Sequence, residues 1–526
     1  MKITEIPAIK LFLLLILISI TFSLLELDIA TIYIVSGVSL LFSIFFLVKK
    51  KLFISYFICI IGISSLISYR INYFSEIYPT KIIPSQKALF KGEIKDILKY
   101  SEKYIKYIAV GDLYSPELPT VKNTKILLTL INPRFSALPG EYIVSDINLN
   151  FHSEDFSNSN FSFRKYLKSL EIDWNATLFS NKITITHKEN LFTSTSYNIR
   201  KNIQKKIYEI FDKNSAAIVS ALTTGDKSLI DTETKQNFVL SGTAHILALS
   251  GLHVGLISFI IFNLLSFINN KWIKSILSIL LIFIFVYITG FQTSALRAAI
   301  MISVYIIMLN FERKINPLNS IGLAGLILFL INPNIIFSVS FQMSFLSVLG
   351  ILFLYPKIYE KFTGIINNNK ILNFVFISFA LTISSSILLS PLIAYYFDIF
   401  SIISPFANLL VVPLMILALS FGLFALLISF LSINIAEIYT LSSSFMIKLS
   451  NEINKFAISF DWSYIKGDFS IWLAFFISFI IIYLIFSETN RHFMFRFVVS
   501  TCLLFLAILN IPEKQNKTYE IVAKQN

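Results

Sequence analysis

Uninterrupted apolar runs near residues 11–25, 52–67, 275–288, 371–394 and 470–486 constrain this chain more than any other feature. About 20 helical residues cross the hydrocarbon core of a bilayer. Backbone polar groups in that solvent must be paired internally, which leaves helices or closed barrels as spanning structures. A mean hydropathy of +0.73 and 55% hydrophobic residues place the chain outside the soluble globular class. The first run follows Lys2 and Lys10 as a secretory signal would. No small-residue cleavage site follows, however, and a second apolar segment begins at Ile29, so it reads as a retained first helix.

Loop charge sets the expected topology, because short cytoplasmic loops collect Lys and Arg. Lys49, Lys50 and Lys51 join segments two and three and are expected inside, which puts Glu26, Asp28 and everything from Arg70 onward outside. From about Tyr78 to Tyr197 the chain turns polar and nothing in it is long enough to span. Within that stretch KALFKGEIKDI, KYIKYIAVGDL, TKILLTLI and GEYIVSDINLNF carry β-branched and aromatic residues between Gly, Pro and Asn, the chemistry of strands and turns. A small extracytoplasmic β barrel, of the oligonucleotide-binding type, is expected there. The following NIRKNIQKKIYEIFDK sets Ile199, Ile203, Ile207 and Ile210 at helical spacing beside Arg200, Lys201, Lys205 and Lys206. This is a basic amphipathic helix that either lies on the outer membrane surface or packs on the barrel.

A second membrane block follows, with helices expected at 244–268, 275–290, 294–310, 318–331 and 336–354 and more to about Leu509. The fold class is thus a polytopic, mainly α-helical membrane protein of about eleven to thirteen spans with an inserted β domain. The expected divisions are 1–70 (first helices), 71–197 (β domain), 198–220 (amphipathic helix), 221–510 (helical transport domain) and 511–526 (polar tail). Cys59 and Cys502 both lie in apolar segments, which rules out a disulfide framework and CxxC metal chemistry. The net charge of +13 by itself does not imply an acidic ligand, because loop lysines account for such an excess in membrane proteins.

Polar side chains inside a bilayer are costly, about 2.5–3.5 kcal/mol for a central Arg on insertion scales, so intramembrane polar clusters need a reason. Three stand out. In SGTAHILALSGLHVGLI, residues 241–257, His245 and His253 are eight apart and would lie within about 80° of each other on one helix. No HExxH pattern or accompanying carboxylate suggests a metal. Either Gly242, Gly251 and Gly255 serve helix packing, or they break the helix and bring backbone, with Ser250, to a polar pathway. In GFQTSALRAAIM, Gln292, Thr293, Ser294 and Arg297 open an apolar helix. Arg297 either snorkels to the interface or offers its planar fork of donors to a phosphate. In SVSFQMSFLSVLG, joined by PFANLLVVP, Gln342 and Asn408 are the expensive residues and are candidates for lining or gating a path.

The run ALTTGDKSLIDTETKQNFVLSGTAHILALSGLHVGLI resembles the signature of the ComEC family of competence proteins. There a Gly-Asp turn leads to a Gly-x-Ala-His-hydrophobic-x-Ala-x-Ser-Gly-x-His segment; Gly225, Asp226, Gly242, Ala244, His245, Ala248, Ser250, Gly251 and His253 match it. GFQTSALRAAIM, SFQMSFLSVLGI and NLLVVP resemble later motifs of the family in the same order, and FSFRKYLKSLEIDWNATL the end of its extracytoplasmic domain. The resemblance implies inward transport of single-stranded DNA across the cytoplasmic membrane. It implies as partners the strand itself, membrane lipid, an extracytoplasmic DNA receptor, a separate nuclease, and a cytoplasmic ATPase or single-strand-binding proteins. Residues 70–215 hold 21 Lys plus Arg against 15 Asp plus Glu, so the outer domain is mildly basic. That excess is either a solvated surface or a DNA-facing one, with Lys91, Arg164 and Lys165 as candidate contacts.

Many ComEC proteins continue into a metallo-β-lactamase-like domain marked by an HxHxDH run. The five histidines here, His152, His187, His245, His253 and His492, form no such run. The expectation is therefore a channel without nuclease activity of its own, with no metal or other cofactor and no catalytic residue. No P-loop is present either. The competing class is a transporter of a small solute or lipid precursor whose outer domain recruits a partner. An intramembrane enzyme is weaker, because no nucleophile and base are paired.

Overall fold

The computed structural model describes residues 7–466, apart from 26–28, 50, 77–85, 101–102, 116–120, 134–136, 151–166, 168, 173, 180–182, 312–315 and 363–369. Arg164, Lys165, His152, His492 and the expected helices beyond 466 lie outside the described residues.

Three helices open the chain, α1 (Pro7–Leu24), α2 (Ile29–Val48) and α3 (Leu52–Glu76), followed by strands β1 (Gln86–Tyr100), β2 (Tyr104–Tyr114), β3 (Val121–Ile131), β4 (Glu141–Asn150), β5 (Trp174–Phe179) and β6 (Ile183–Glu189). Strand β1 pairs with both β2 and β4, β3 pairs with β5 in parallel, and β5 pairs with β4. The pairings of these five strands close on themselves, and β6 adds to β4 at the rim. Alternation explains the closure: along β2, Ile105, Tyr107 and Ala109 point inward and meet Phe90, Ile94, Ile126, Leu128 and Ile143 in one core.

Helices α4 (Leu191–Ile210), α5 (Lys213–Thr224) and α6 (Thr232–Leu240) lead into the second block: α7 (Gly251–Leu264), α8 (Lys271–Ile288), α9 (Thr293–Leu309), α10 (Pro317–Ile331), α11 (Val339–Phe362), α12 (Lys370–Phe397), α13 (Ser404–Ile428) and α14 (Ile433–Ile458). Short strands β7 (Ile399–Ser401) and β8 (Tyr464–Lys466) pair beside α13. Among the described residues five helices, α3, α8, α11, α12 and α13, are long and apolar enough to cross a bilayer, and α1, α2, α7, α9 and α10 are shorter apolar helices. Their polarity is inverted relative to a soluble bundle. On α8 the small Ser275 and Ser278 face inward beside Ile282 and Val286, while Ile273, Ile276, Leu280 and Ile284 are exposed, as lipid allows.

Two local expectations change. The amphipathic helix starts at Leu191, seven residues before the expected position, because Asn190 caps it by accepting from the Phe192 and Thr193 amides. Its apolar side is covered by protein: Ile207 and Ile203 join the core of α5, α13 and α14, and Ser196 donates to the Tyr287 carbonyl at 2.6 Å. The second expectation concerns 244–268, which is not one helix. Residues 244–246 form a 3-10 turn, and α7 begins only at Gly251.

Candidate functional site

The break before α7 is built by residue chemistry. Helix α6 ends at Ser241, and Gly242 then takes φ +76, a left-handed conformation that favours glycine, with the Ser404 side chain packed where a Cβ would stand. Ser250 caps α7 while its own amide donates to Nδ1 of His253 at 3.1 Å. The capping geometry separates the two histidines, which are therefore not two turns apart on one helical face. His253 is 1% exposed. His245, in the 3-10 turn, is exposed.

Helix α9 ties the clusters together. Ser294 Oγ donates to the Leu249 carbonyl at 2.6 Å, just before the α7 cap, and Ala298 faces Gly251. Gln292 donates to the Thr224 carbonyl at 3.3 Å and its side chain occupies the space beside Gly225, which ends α5 at φ +80. Asp226, next in the turn, accepts from the Ser228 amide at 2.9 Å and from Gln204 of α4 at 3.2 Å. The Gly-Asp motif is thus a turn that three helices grip. Burial and neighbouring Lys235 push the Lys227 ammonium below the usual lysine range. At Asp231, which caps α6, burial pushes the carboxyl up; the Thr234 amide and hydroxyl and Lys235 outweigh that and hold it below the usual aspartate value.

Arg297, on the second turn of α9, is 3% exposed, so its guanidinium does not snorkel. Nη2 donates to Ser340 Oγ of α11 at 2.8 Å, while Nε and Nη1 have no partner among the described residues. Among the described residues no carboxylate pairs with it. A buried cation without a counter-charge is a costly arrangement in an apolar bundle.

Gln342 lies two residues beyond Ser340 but is used structurally: Nε2 donates to the Ile336 carbonyl at 2.8 Å and Oε1 accepts from Tyr396 at 3.2 Å. Asn408 donates to Ser404 Oγ, which packs on Gly242, at 3.0 Å, and its Oδ1 has no partner among the described residues. Gly255 has nothing within 4 Å of a Cβ position, so no close helix contact requires a glycine there. Lys91 is exposed on β1, with its ammonium 5.3 Å from the Tyr114 ring centroid. Among the described residues no group of three or more His, Cys, Asp or Glu is arranged to hold a metal.

The sequence reading missed Ser340, Tyr396, Ser404 and Asn454, the last of which accepts from Thr243 at 3.2 Å. Each is a polar residue in an apolar helix, the signal that singled out Gln342. Serine and tyrosine, however, are too common in such helices to stand out before their partners are known.

No solved structure matches the chain. It is 31% identical over 256 residues to ComE operon protein 3 of Bacillus subtilis, covering 48% of this chain and 31% of that protein. It is 28% identical over 233 residues to an uncharacterized protein of Aquifex aeolicus, covering 44% of this chain and 52% of that one. The matched portion therefore spans from about a third to about half of these relatives. The Competence protein family matches residues 222–491, the stretch that contains the Gly-Asp turn, the broken α6–α7 connection and Arg297. With just over half of its length matched, and the ComEC motifs in order along it, this membrane chain belongs to the Competence protein family.

Proposed function

We propose that this chain forms the membrane path by which single-stranded DNA crosses the bacterial cytoplasmic membrane during natural transformation. The observation that carries the reading is Arg297. Among the described residues its Nε and Nη1 are buried without a partner and no acid pairs with it, which suits a transient anion rather than a resident one. Phosphates passing singly along a strand supply such anions, and a fork geometry suits them. The pathway reading extends to His245, Ser250, Gly251, His253, Gly255, Gln292, Ser294 and Asn408, with Gln342 bracing α11 behind it and Gly225 and Asp226 holding its edge.

The β domain supports the same reading. The closed five-stranded pairing, with β3 and β5 parallel and β1 meeting β4, supports reading it as a barrel of the oligonucleotide-binding type. Loop charges favour this domain outside and the N-terminus inside. A receptor would hand DNA to it, and strand-binding or ATP-driven partners would act on the cytoplasmic side. The chain itself performs transport with no covalent step.

The test is uptake of labelled DNA. Deletion should abolish entry into the cytosol and leave surface binding intact. Arg297→Lys should slow entry at equal protein level, because an ammonium keeps the charge and loses the paired geometry. Entry at the wild-type rate in Arg297→Lys, or undiminished entry in the deletion, would remove the basis for the reading.

A further inference from the structure

Where α4, α8 and α9 meet, three aromatic side chains gather outside every hydrophobic core of the described residues. Phe192 lies 4.6 Å from Tyr287 and 6.2 Å from Phe291 between ring centroids, the latter pair near parallel at 28°. Phe192 is 61% exposed and Phe291 44%. The group is held rigidly: Tyr287 Oη donates to the Phe192 carbonyl at 2.6 Å, and Ser196 donates to the Tyr287 carbonyl. Phe291 has φ +54, a left-handed backbone that a bulky residue seldom takes. The chain keeps an aromatic there and turns it outward, beside the ring of Phe192.

We propose that Phe192, Tyr287 and Phe291 form a stacking platform for the bases of the incoming strand at the approach to Arg297, an inference that rests on the DNA-transport reading. Three features point to this occupant. Bases of any kind present a π-face, so rigid exposed rings bind a strand without regard to sequence. The adjoining helix α4 is basic: Arg200 pairs with Asp96 at 2.8 Å and Lys206 with Glu209 at 3.4 Å, and the exposed Lys201 and Lys205 add positive charge that complements a phosphate backbone. Finally, Phe291 stands two residues before α9, and Arg297 is four residues into that helix, a rise of about 6 Å from its first residue. The rings thus stand beside the end of α9 that carries Arg297.

The alternative occupant is lipid, since aromatic residues also anchor helix ends at the headgroups. Leucine separates the two: it keeps apolar bulk for lipid and removes the π-face. The experiment uses the full chain in lipid nanodiscs with two fluorescent oligonucleotides of equal length, one thymine-bearing and one abasic. Wild type should bind the thymine strand about tenfold tighter, within the range for stacking of a single base. Phe192→Leu/Phe291→Leu should bind both strands as wild type binds the abasic one. Equal binding of both strands by wild type, or a preference that survives in the double variant, overturns the platform and leaves the transport reading standing. Binding of neither strand by wild type counts against the transport reading itself and removes the platform with it. Should the double variant fold poorly, 2-aminopurine in the strand reads stacking directly: its fluorescence should be quenched on wild type and recover on Phe192→Leu, and unquenched emission on wild type refutes the proposal.

Discussion

Replacing Arg297 by methionine should make the protein more stable and less functional at once. The guanidinium is almost fully buried, one of its nitrogens has a serine partner at 2.8 Å, and two have none among the described residues. Placing such a charge in an apolar bundle costs about 2.5–3.5 kcal/mol on insertion scales. Methionine fills similar volume without charge, and Ser340 can return its hydroxyl to its own helix. Allowing for imperfect repacking, Arg297→Met should gain about 1–3 kcal/mol in unfolding free energy at low salt. Inorganic phosphate should then narrow the gap by binding only wild type; at a hundred times its dissociation constant it contributes about 2.7 kcal/mol. Thermal unfolding in detergent, with and without phosphate, measures both terms. A variant less stable than wild type at low salt would mean that the guanidinium has a structural partner after all. An equal phosphate shift in both proteins would mean that the anion binds elsewhere. Either result refutes the reasoning.

Gly225→Ala should cost about 1–2 kcal/mol, because φ +80 is left-handed and the Gln292 side chain fills the Cβ position; a lowered Tm with unchanged membrane insertion is the readout. Asp231→Ala should cost about 1 kcal/mol at neutral pH by loss of the α6 cap. Because the Asp231 carboxyl is held below its ordinary value, that advantage is present above about pH 4 and fades as pH falls through the folded-state value, so wild type and variant should converge in acid unfolding scans. A cysteine at the exposed Lys122, with Cys59 and Cys502 replaced, should react with an impermeant maleimide in intact cells; labelling only after the inner membrane is breached would reverse the topology.

Much of this architecture was legible in order of residues alone. Apolar run length selects helices because lipid offers backbone groups no partner, and period-two patterning in β2 and β3 selects strands because a closed barrel has one inside. Polar residues in apolar runs marked Arg297, Gln342 and Asn408, since burial there needs a reason. What the order of residues did not decide is which reason applies. Gln342 proved to be a satisfied brace and Arg297 an unsatisfied charge, a difference that depends on Ile336, Tyr396 and Ser340 being brought alongside from other helices. The two histidines looked like neighbours on one helix until the left-handed Gly242 and the Ser250 cap divided the segment. Helical periodicity describes a segment in isolation, whereas the break is stabilised by Ser404 and Asn454, more than 150 residues away. Local sequence thus determines which groups are costly to bury, and only tertiary packing determines which of them are compensated and which remain free to act.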